Sequence, residues 1–282
     1  MAYETLTLEV ADHVAHVRLS RPDQLNTMIL PMWQEFVDVF AEIGSDPSAR
    51  AVVISSTGKH FTAGLDLNAF ADIAGAAPKE EAGRVREQLR TSVLEMQESF
   101  NAIEDCRLPV LVAVQGGCIG GGVDLISACD MRYCTEDAFF CIQEINIGMT
   151  ADVGTLQRLP HLIPSGKVRE LAYTGRRMYA DEAKEIGLVN DAYESADAML
   201  DAVMAVAREI AAKSPLAIVG TKEMLNYTRD HSVADALNYM SVWQAGMLLT
   251  DDLMVQMQAN KAKQSAEFAD LLPPRKLVRK RG

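Results

Sequence analysis

Between Val110 and Gly122 the chain passes from five consecutive apolar residues, through one glutamine, into a stretch holding five glycines. A run that short and that apolar, opening after Pro109, reads as a strand buried on both faces. Glycines directly behind such a strand read as a tight turn that opens a short helix, where the backbone lies bare to a ligand and the helix start favours negative charge. Three acids follow in mostly apolar surroundings: Asp124 in the first turn of that helix, then Glu144 and Asp152 in a loop beside Phe139, Phe140, Ile142, Ile145, Ile147 and Met149. A carboxylate among apolar neighbours loses hydration, so its proton affinity rises toward neutrality.

Around this stretch the pattern alternates strand, strand and helix. Thr5 to Val10 and Val14 to Leu19 alternate apolar and polar residues about a short turn, which predicts a hairpin. Leu30 to Ile43 has helical spacing, Ala51 to Ser55 is a further strand, and a long amphipathic helix ends near Ile103. Met131 to Cys134 and Ala138 to Cys141 are short extended segments. From Gly154 onward the chain reads as helical to about Ala262, with Ser214-Pro215 as an N-cap and first helical residue. This order predicts an α/β chain with a catalytic core over 1–195, a helical region over 196–270 and a basic tail over 271–282. The strand units fit either a coiled β-β-α spiral or a doubly wound parallel sheet; pattern alone does not choose.

With 282 residues, 49% hydrophobic and 23% charged, the chain can bury a sizeable core. Its net charge of −12 disfavours nucleic acid or an anionic membrane as partner, since both need clustered positive charge. The basic run Arg275 to Arg281 behind two prolines reads as a solvated tail. Five cysteines, with no Cys-x-x-Cys pair, predict buried reduced thiols. Scattered histidines predict no metal site. No run of about 18 apolar residues is present to span a membrane, and no signal sequence opens the chain, so the expectation is a cytoplasmic protein.

A second glycine-containing turn, Phe61-Thr62-Ala63-Gly64-Leu65-Asp66, also follows a buried strand. Two backbone N–H groups converging on one oxygen make an oxyanion hole. Each piece taken singly has a plain structural use: glycines for packing, Asp124 for the helix dipole, Asp152 for an ion pair with Arg158. The spacing is not that of a dinucleotide fingerprint.

Jointly, Phe61 to Leu67 (FTAGLDL) and Gly116 to Asp130 (GGCIGGGVDLISACD) resemble the two signature segments of the crotonase, or enoyl-CoA hydratase/isomerase, superfamily. Arg21 to Asn26 (RPDQLN), Thr155 to Pro160 (TLQRLP), Thr174-Gly175-Arg176 and Gly187-Leu188-Val189 fit the same pattern, and the resemblance spans about residues 3 to 265. It implies the crotonase-like β-β-α spiral with a C-terminal trimerisation region. It also implies a homotrimer or dimer of trimers, an acyl-CoA thioester substrate, and no cofactor, coenzyme A being part of the substrate. By family position Leu65 and Gly121 would form the oxyanion hole, and Ala63, Gly64, Leu65, Asp66, Leu67 and Gly121 would line the substrate.

Within the superfamily the acid set Asp124, Glu144 and Asp152 resembles the dienoyl-CoA isomerases, with Asn146 standing where an acid is expected. That resemblance implies transfer of a proton from C2 to C6 of a 3,5-dienoyl-CoA, with Glu144 as the C2 base and Asp152 as the C6 acid. Asp124 would tune or position Glu144, or share its proton. The alternatives are a 2-enoyl-CoA hydratase or Δ3-Δ2-enoyl-CoA isomerase, neither of which requires the distal acid. An RNA-binding relative is a further alternative, against which the net charge argues.

Overall fold

The expected hairpin forms as β1 (Leu6–Ala11) and β2 (Val14–Leu19), paired antiparallel with Leu6 opposite Leu19. The computed structural model describes residues 3–66, 68 and 81–275. Beyond the hairpin, β3 (Ala51–Ser56), β4 (Val110–Val114), β6 (Met131–Thr135) and β9 (Asp191–Tyr193) add in parallel, giving the order β1-β2-β3-β4-β6-β9. A smaller sheet, β5 (Gly117–Ile119), β7 (Phe139–Cys141) and β8 (Met178–Tyr179), stands beside it. The chain therefore passes from the first sheet to the second and back: β4 to β5, then β6 to β7, and finally β9. That alternation is a β-β-α spiral, and it excludes the doubly wound alternative.

Side-chain alternation explains how one sheet serves two cores. Val52 and Ile54 of β3, with Val110, Val112 and Val114 of β4, face a large core that contains α1 (Leu30–Ser45). Ala51, Val53, Leu111 and Ala113 face the other way, onto α7 (Ala196–Ala211). On α7, Met199, Val203, Ala207 and Ala211 recur every four residues and are all buried, which is the stripe such a contact needs. On the large-core side α1 meets α2 (Ala82–Glu104): the Phe100 ring lies 5.2 Å from that of Trp33 and 6.0 Å from that of Phe36.

Three further short helices follow the glycine turn and the acid loop: α3 (Gly121–Ser127), α4 (Thr155–Leu162) and α5 (Ser165–Thr174). After α6 (Ala180–Glu185) and α7 come α8 (Pro215–Asp230), α9 (Val233–Met247) and α10 (Asp251–Ala262). Ser214 caps α8 as expected, its hydroxyl accepting from the Ala217 N–H at 3.2 Å. The strands β5, β8 and β9 lie in stretches read as turn or helix. Two or three residues are too few to show a two-residue period, and the glycines of β5 carry no side chain to alternate.

Residues 268–272 are anchored, although a tail was expected from 271. Arg50, 8% exposed, donates to the Phe268 carbonyl at 2.7 Å and to Asp270 at 2.8 Å, and Leu271 is buried in the large core. All five cysteines are buried and unpaired. Among the described residues no helix is long and apolar enough to cross a membrane.

One core group makes the fold sensitive to acid. His16 is buried in β2, its Nε2–H donating to the Ser55 hydroxyl at 2.7 Å while Nδ1 accepts from Arg18 at 3.3 Å. Burial first, and the Arg18 charge second, push it down to about 4. The unfolded chain takes this proton near 6.5. The stability contributed by neutral His16 is thus complete above 6.5 and lost as pH falls toward 4, about 3 kcal/mol in all. Urea midpoints should drop between pH 7 and pH 5, and the drop should shrink in His16→Gln; an equal drop in that variant would place the acid sensitivity elsewhere.

Candidate active site

The first glycine turn is held from two sides. On one side Phe61 N–H donates to the Gln115 carbonyl at 2.8 Å, Thr62 N–H to Gly117 at 3.1 Å, and Ile119 N–H back to Thr62 at 3.2 Å. On the other, Ala63 N–H donates to Leu25 at 3.0 Å, Met28 N–H to Gly64 at 2.8 Å, and Asp66 N–H to Met28 at 3.1 Å. Asn26 fixes the second side: its amide donates to the carbonyls of Thr57 at 2.7 Å and His60 at 3.1 Å, and its carbonyl accepts from the Thr62 hydroxyl at 2.7 Å. The segment Arg21 to Asn26, noted in the sequence only as a motif, is the brace of this turn.

Gly64 adopts φ +86°, and a Cβ there would lie 2.8 Å from the Ile119 carbonyl oxygen. Glycine is needed on both counts. This close approach sets the first turn against the second, at Ile119–Gly120. Gly120 has φ +52°, and at Gly121 a Cβ would lie 2.9 Å from the sulfur of Met28. With these bonds made, the N–H groups of Leu65 and of Gly121, the first residue of α3, have no acceptor among the described residues. Ala63, Gly64 and Asp66 lie in the same turn; Leu67, also expected to line the substrate, lies outside the described residues.

The three acids gather behind the second turn. Asp124 is fully buried in α3. Its Oδ1 accepts from the Thr155 N–H at 2.6 Å, capping the start of α4, while Oδ2 is buried with no hydrogen-bond partner among the described residues. Burial pushes its carboxyl up to about 6, the Thr155 bond pulling the other way. Glu144 opens a single 3-10 turn, Glu144–Ile147, and its Oε1 lies 3.1 Å from where a Gly120 Cβ would stand. A side chain at 120 would crowd it. Burial, then the Asp124 charge, pushes Glu144 up to about 7.

Asp152 is half-buried three residues before Thr155, and its carbonyl accepts from the Gln97 amide of α2 at 2.6 Å. Burial raises its carboxyl too. Two of the three feel the charge of another: Asp152 acts on Asp124, and both Asp124 and Asp152 act on Glu144.

The ion pair that would give Asp152 a purely structural use is not made. Arg158 instead binds Glu104 at 2.8 Å and Asn101 at 2.8 Å. Asn146, where an acid was expected, donates to the Gly175 carbonyl at 2.9 Å and to Gln143 at 3.1 Å, so it anchors the Glu144 turn to the end of α5. Gln97 was not singled out from the sequence, and Thr155 appeared there only as the first residue of the segment TLQRLP. One contributes a side-chain amide from a long exposed helix, the other only a backbone N–H, and neither leaves a pattern to read.

Residues 9–270 match the enoyl-CoA hydratase/isomerase family model. The chain belongs to the enoyl-CoA hydratase/isomerase family. Relatives within it include the mitochondrial Delta(3,5)-Delta(2,4)-dienoyl-CoA isomerase of Pongo abelii, 49% identical over 96% of this chain and 84% of that protein. The peroxisomal enzyme of the same name from Arabidopsis thaliana is 41% identical over 96% of this chain and 99% of its own. A crystal structure of enoyl-CoA hydratase from Bacillus anthracis superposes with a TM-score of 0.85 at 29% identity, covering 94% of this chain and 99% of that one. The spiral and its C-terminal helices are thus the fold of this family, and an acyl-CoA thioester is the substrate class that the family implies.

Proposed function

We propose that this chain is a Δ3,5-Δ2,4-dienoyl-CoA isomerase, moving a proton from C2 to C6 of a 3,5-dienoyl-CoA in the breakdown of unsaturated fatty acyl groups. The observation that carries the reading is a pair of separately mounted acids, Glu144 at the glycine turn and Asp152 on the loop held by Gln97. Relatives bearing that name, 41–49% identical over 96% of the chain, support it.

C2 adjoins the thioester carbonyl, so removing its proton drives charge onto the carbonyl oxygen. The N–H groups of Leu65 and Gly121, without an acceptor among the described residues, would take that charge; one such donor is typically worth about 3 kcal/mol in the transition state. Charge also spreads along the conjugated chain to C6, four carbons away, beyond the reach of a group fixed at C2. Glu144 as base and Asp152 as acid divide the work. Asp124, anchored on Thr155, holds negative charge beside Glu144 and keeps it basic.

The direct test is to supply 3,5-dienoyl-CoA and follow the near-ultraviolet absorbance of the conjugated 2,4-product. Rapid hydration of a 2-enoyl-CoA without that rise would favour the hydratase alternative. The pH profile tests the charge state. A productive pair has Glu144 ionised and Asp152 protonated, so it shares one proton. Glu144, pushed up to about 7, holds a proton more firmly than Asp124 at about 6. An acyl chain laid over the half-exposed Asp152 strips its remaining water and draws the proton there. Above about pH 7 the shared proton is lost, so kcat/KM should fall through a limb near 7. A rate that climbs through that limb instead would remove Asp152 from the acid role.

The assembly proposed is a homotrimer or a dimer of trimers. Leu225, Val233, Leu237, Val242 and Leu249, on or beside α8 and α9, are each at least 65% exposed, more apolar surface than a lone subunit usually leaves in water. Sedimentation of a monomer would overturn this. Cytoplasmic residence is also part of the proposal; because relatives carry mitochondrial and peroxisomal names, cell fractionation is its test.

A further inference from the structure

Isomerisation leaves the site in the wrong charge state for a second turnover. Glu144 takes the C2 proton, the C–H electron pair enters the conjugated system, and C6 forms its new bond to the proton of Asp152. Glu144 ends protonated and Asp152 ionised, the reverse of what the next substrate needs. No proton is gained or lost overall, so the two acids can be reset by one transfer between them.

Asp124 is the third acid of the cluster, acting on Glu144 and acted on by Asp152. It lies in the first turn of the helix that begins directly after Gly120, against which the Glu144 carboxylate rests. Its other contact, Thr155, is three residues beyond Asp152. The Thr155 N–H occupies Oδ1. Oδ2 is a fully buried oxygen without a hydrogen-bond partner among the described residues, a costly arrangement unless it is used. Resting on the isomerase reading above, we infer that Asp124 is the internal proton relay that resets the site, its Oδ2 accepting the proton from Glu144 and, on rotation of the O–H, passing it to Asp152. The carboxyl, pushed up to about 6, is mostly ionised near neutrality yet easily protonated, as a relay must be.

Transfer between neighbouring carboxyls is fast compared with product release, which limits many enzymes. The reset is therefore complete while the product still shields the site. The competing route is exchange with water through a polar cleft of about 340 Å³, lined by Gln97, Val153, Gly154, Gln157 and Arg158, beside the backbone of Asp152.

Deuterium decides between them. A 3,5-dienoyl-CoA carrying two deuterons at C2 is turned over in ordinary water, and the product is read at C6 by mass spectrometry or NMR. With enzyme in excess, a single turnover should place only hydrogen at C6, because Asp152 delivers the proton it already held. With substrate in excess, deuterium should appear at C6 from the second turnover onward. Asp124→Asn keeps an oxygen for the Thr155 N–H but cannot carry a proton, so the label at C6 should fall to the single-turnover background. Label missing from multiple-turnover wild-type product overturns the relay in favour of the cleft, and needs no variant. A folded Asp124→Asn protein that keeps the wild-type label overturns it as well. Deuterium at C6 in the first turnover would mean one carboxylate carries the proton across, which removes the relay and the two-acid assignment together. An absence of any dienoyl conversion would instead defeat the isomerase reading itself.

Discussion

Replacing Asp152 by asparagine should lower kcat for dienoyl isomerisation by about 10²–10⁴-fold, the range that a positioned general acid supplies. Asparagine matches aspartate in size, and the contact with Gln97 is made by the backbone carbonyl, so the loop should keep its place. What is lost is the proton that the proposed mechanism delivers to C6. Affinity for a CoA ester, measured by equilibrium binding, should stay within a few-fold, because the proposed substrate-lining turns at residues 63–66 and at Gly121 are untouched. Turnover close to wild type would remove Asp152 from the mechanism. A parallel loss of binding would make it a structural residue of the loop. Glu144→Gln cannot separate the readings in this way, since every alternative enzyme of the family also wants a base there.

The second large effect is expected at Gly64. Alanine there must adopt φ +86° and place a methyl group 2.8 Å from the Ile119 carbonyl oxygen. That oxygen is backbone and has no soft rotation by which to yield. The turn must shift, and the neighbouring Leu65 N–H shifts with it. A displaced oxyanion donor costs about 10²–10³ in kcat, so with Leu65 in its proposed role Gly64→Ala should lose that much while the protein remains folded. Gly187 provides the control. It has nearly the same backbone angle, φ +82°, but open space around it. Gly187→Ala should cost only conformational strain, about 1 kcal/mol in an unfolding experiment, with turnover unchanged. Equal activity losses in the two variants would mean that strain, and not the Leu65 donor, explains the result at Gly64.

Much of the fold could be read locally. The alternation in β1 and β2, the apolar run of β4, the four-residue stripe of α7 and the cap at Ser214 each lie within a few residues of one another, where sequence spacing and spatial spacing coincide. The acids were legible for the same reason, as charged residues in an apolar stretch of about forty residues. The short strands β5, β8 and β9 were not, being shorter than one readable period.

Candidates for the site could be named from the sequence; their connections could not. Sequence placed Asp124, Glu144 and Asp152 together and, through the family resemblance, gave Leu65 and Gly121 as a pair. It left Arg158 as a possible partner for Asp152; the fold instead gives Arg158 to Glu104, 54 residues away. It treated Asn26 as part of a motif, whereas its amide closes on carbonyls at 57 and 60. Sequence by itself thus determined the element types, the buried strand that ends in a glycine turn, and the chemical groups on offer. Only tertiary structure decided that the strands divide between two sheets, that Gly64 and Ile119 touch, and that Asp124 is buried with one oxygen on the Thr155 N–H. Local pattern is set by backbone geometry over a few residues; those contacts are set by chain segments 31 to 55 residues apart meeting in a common core.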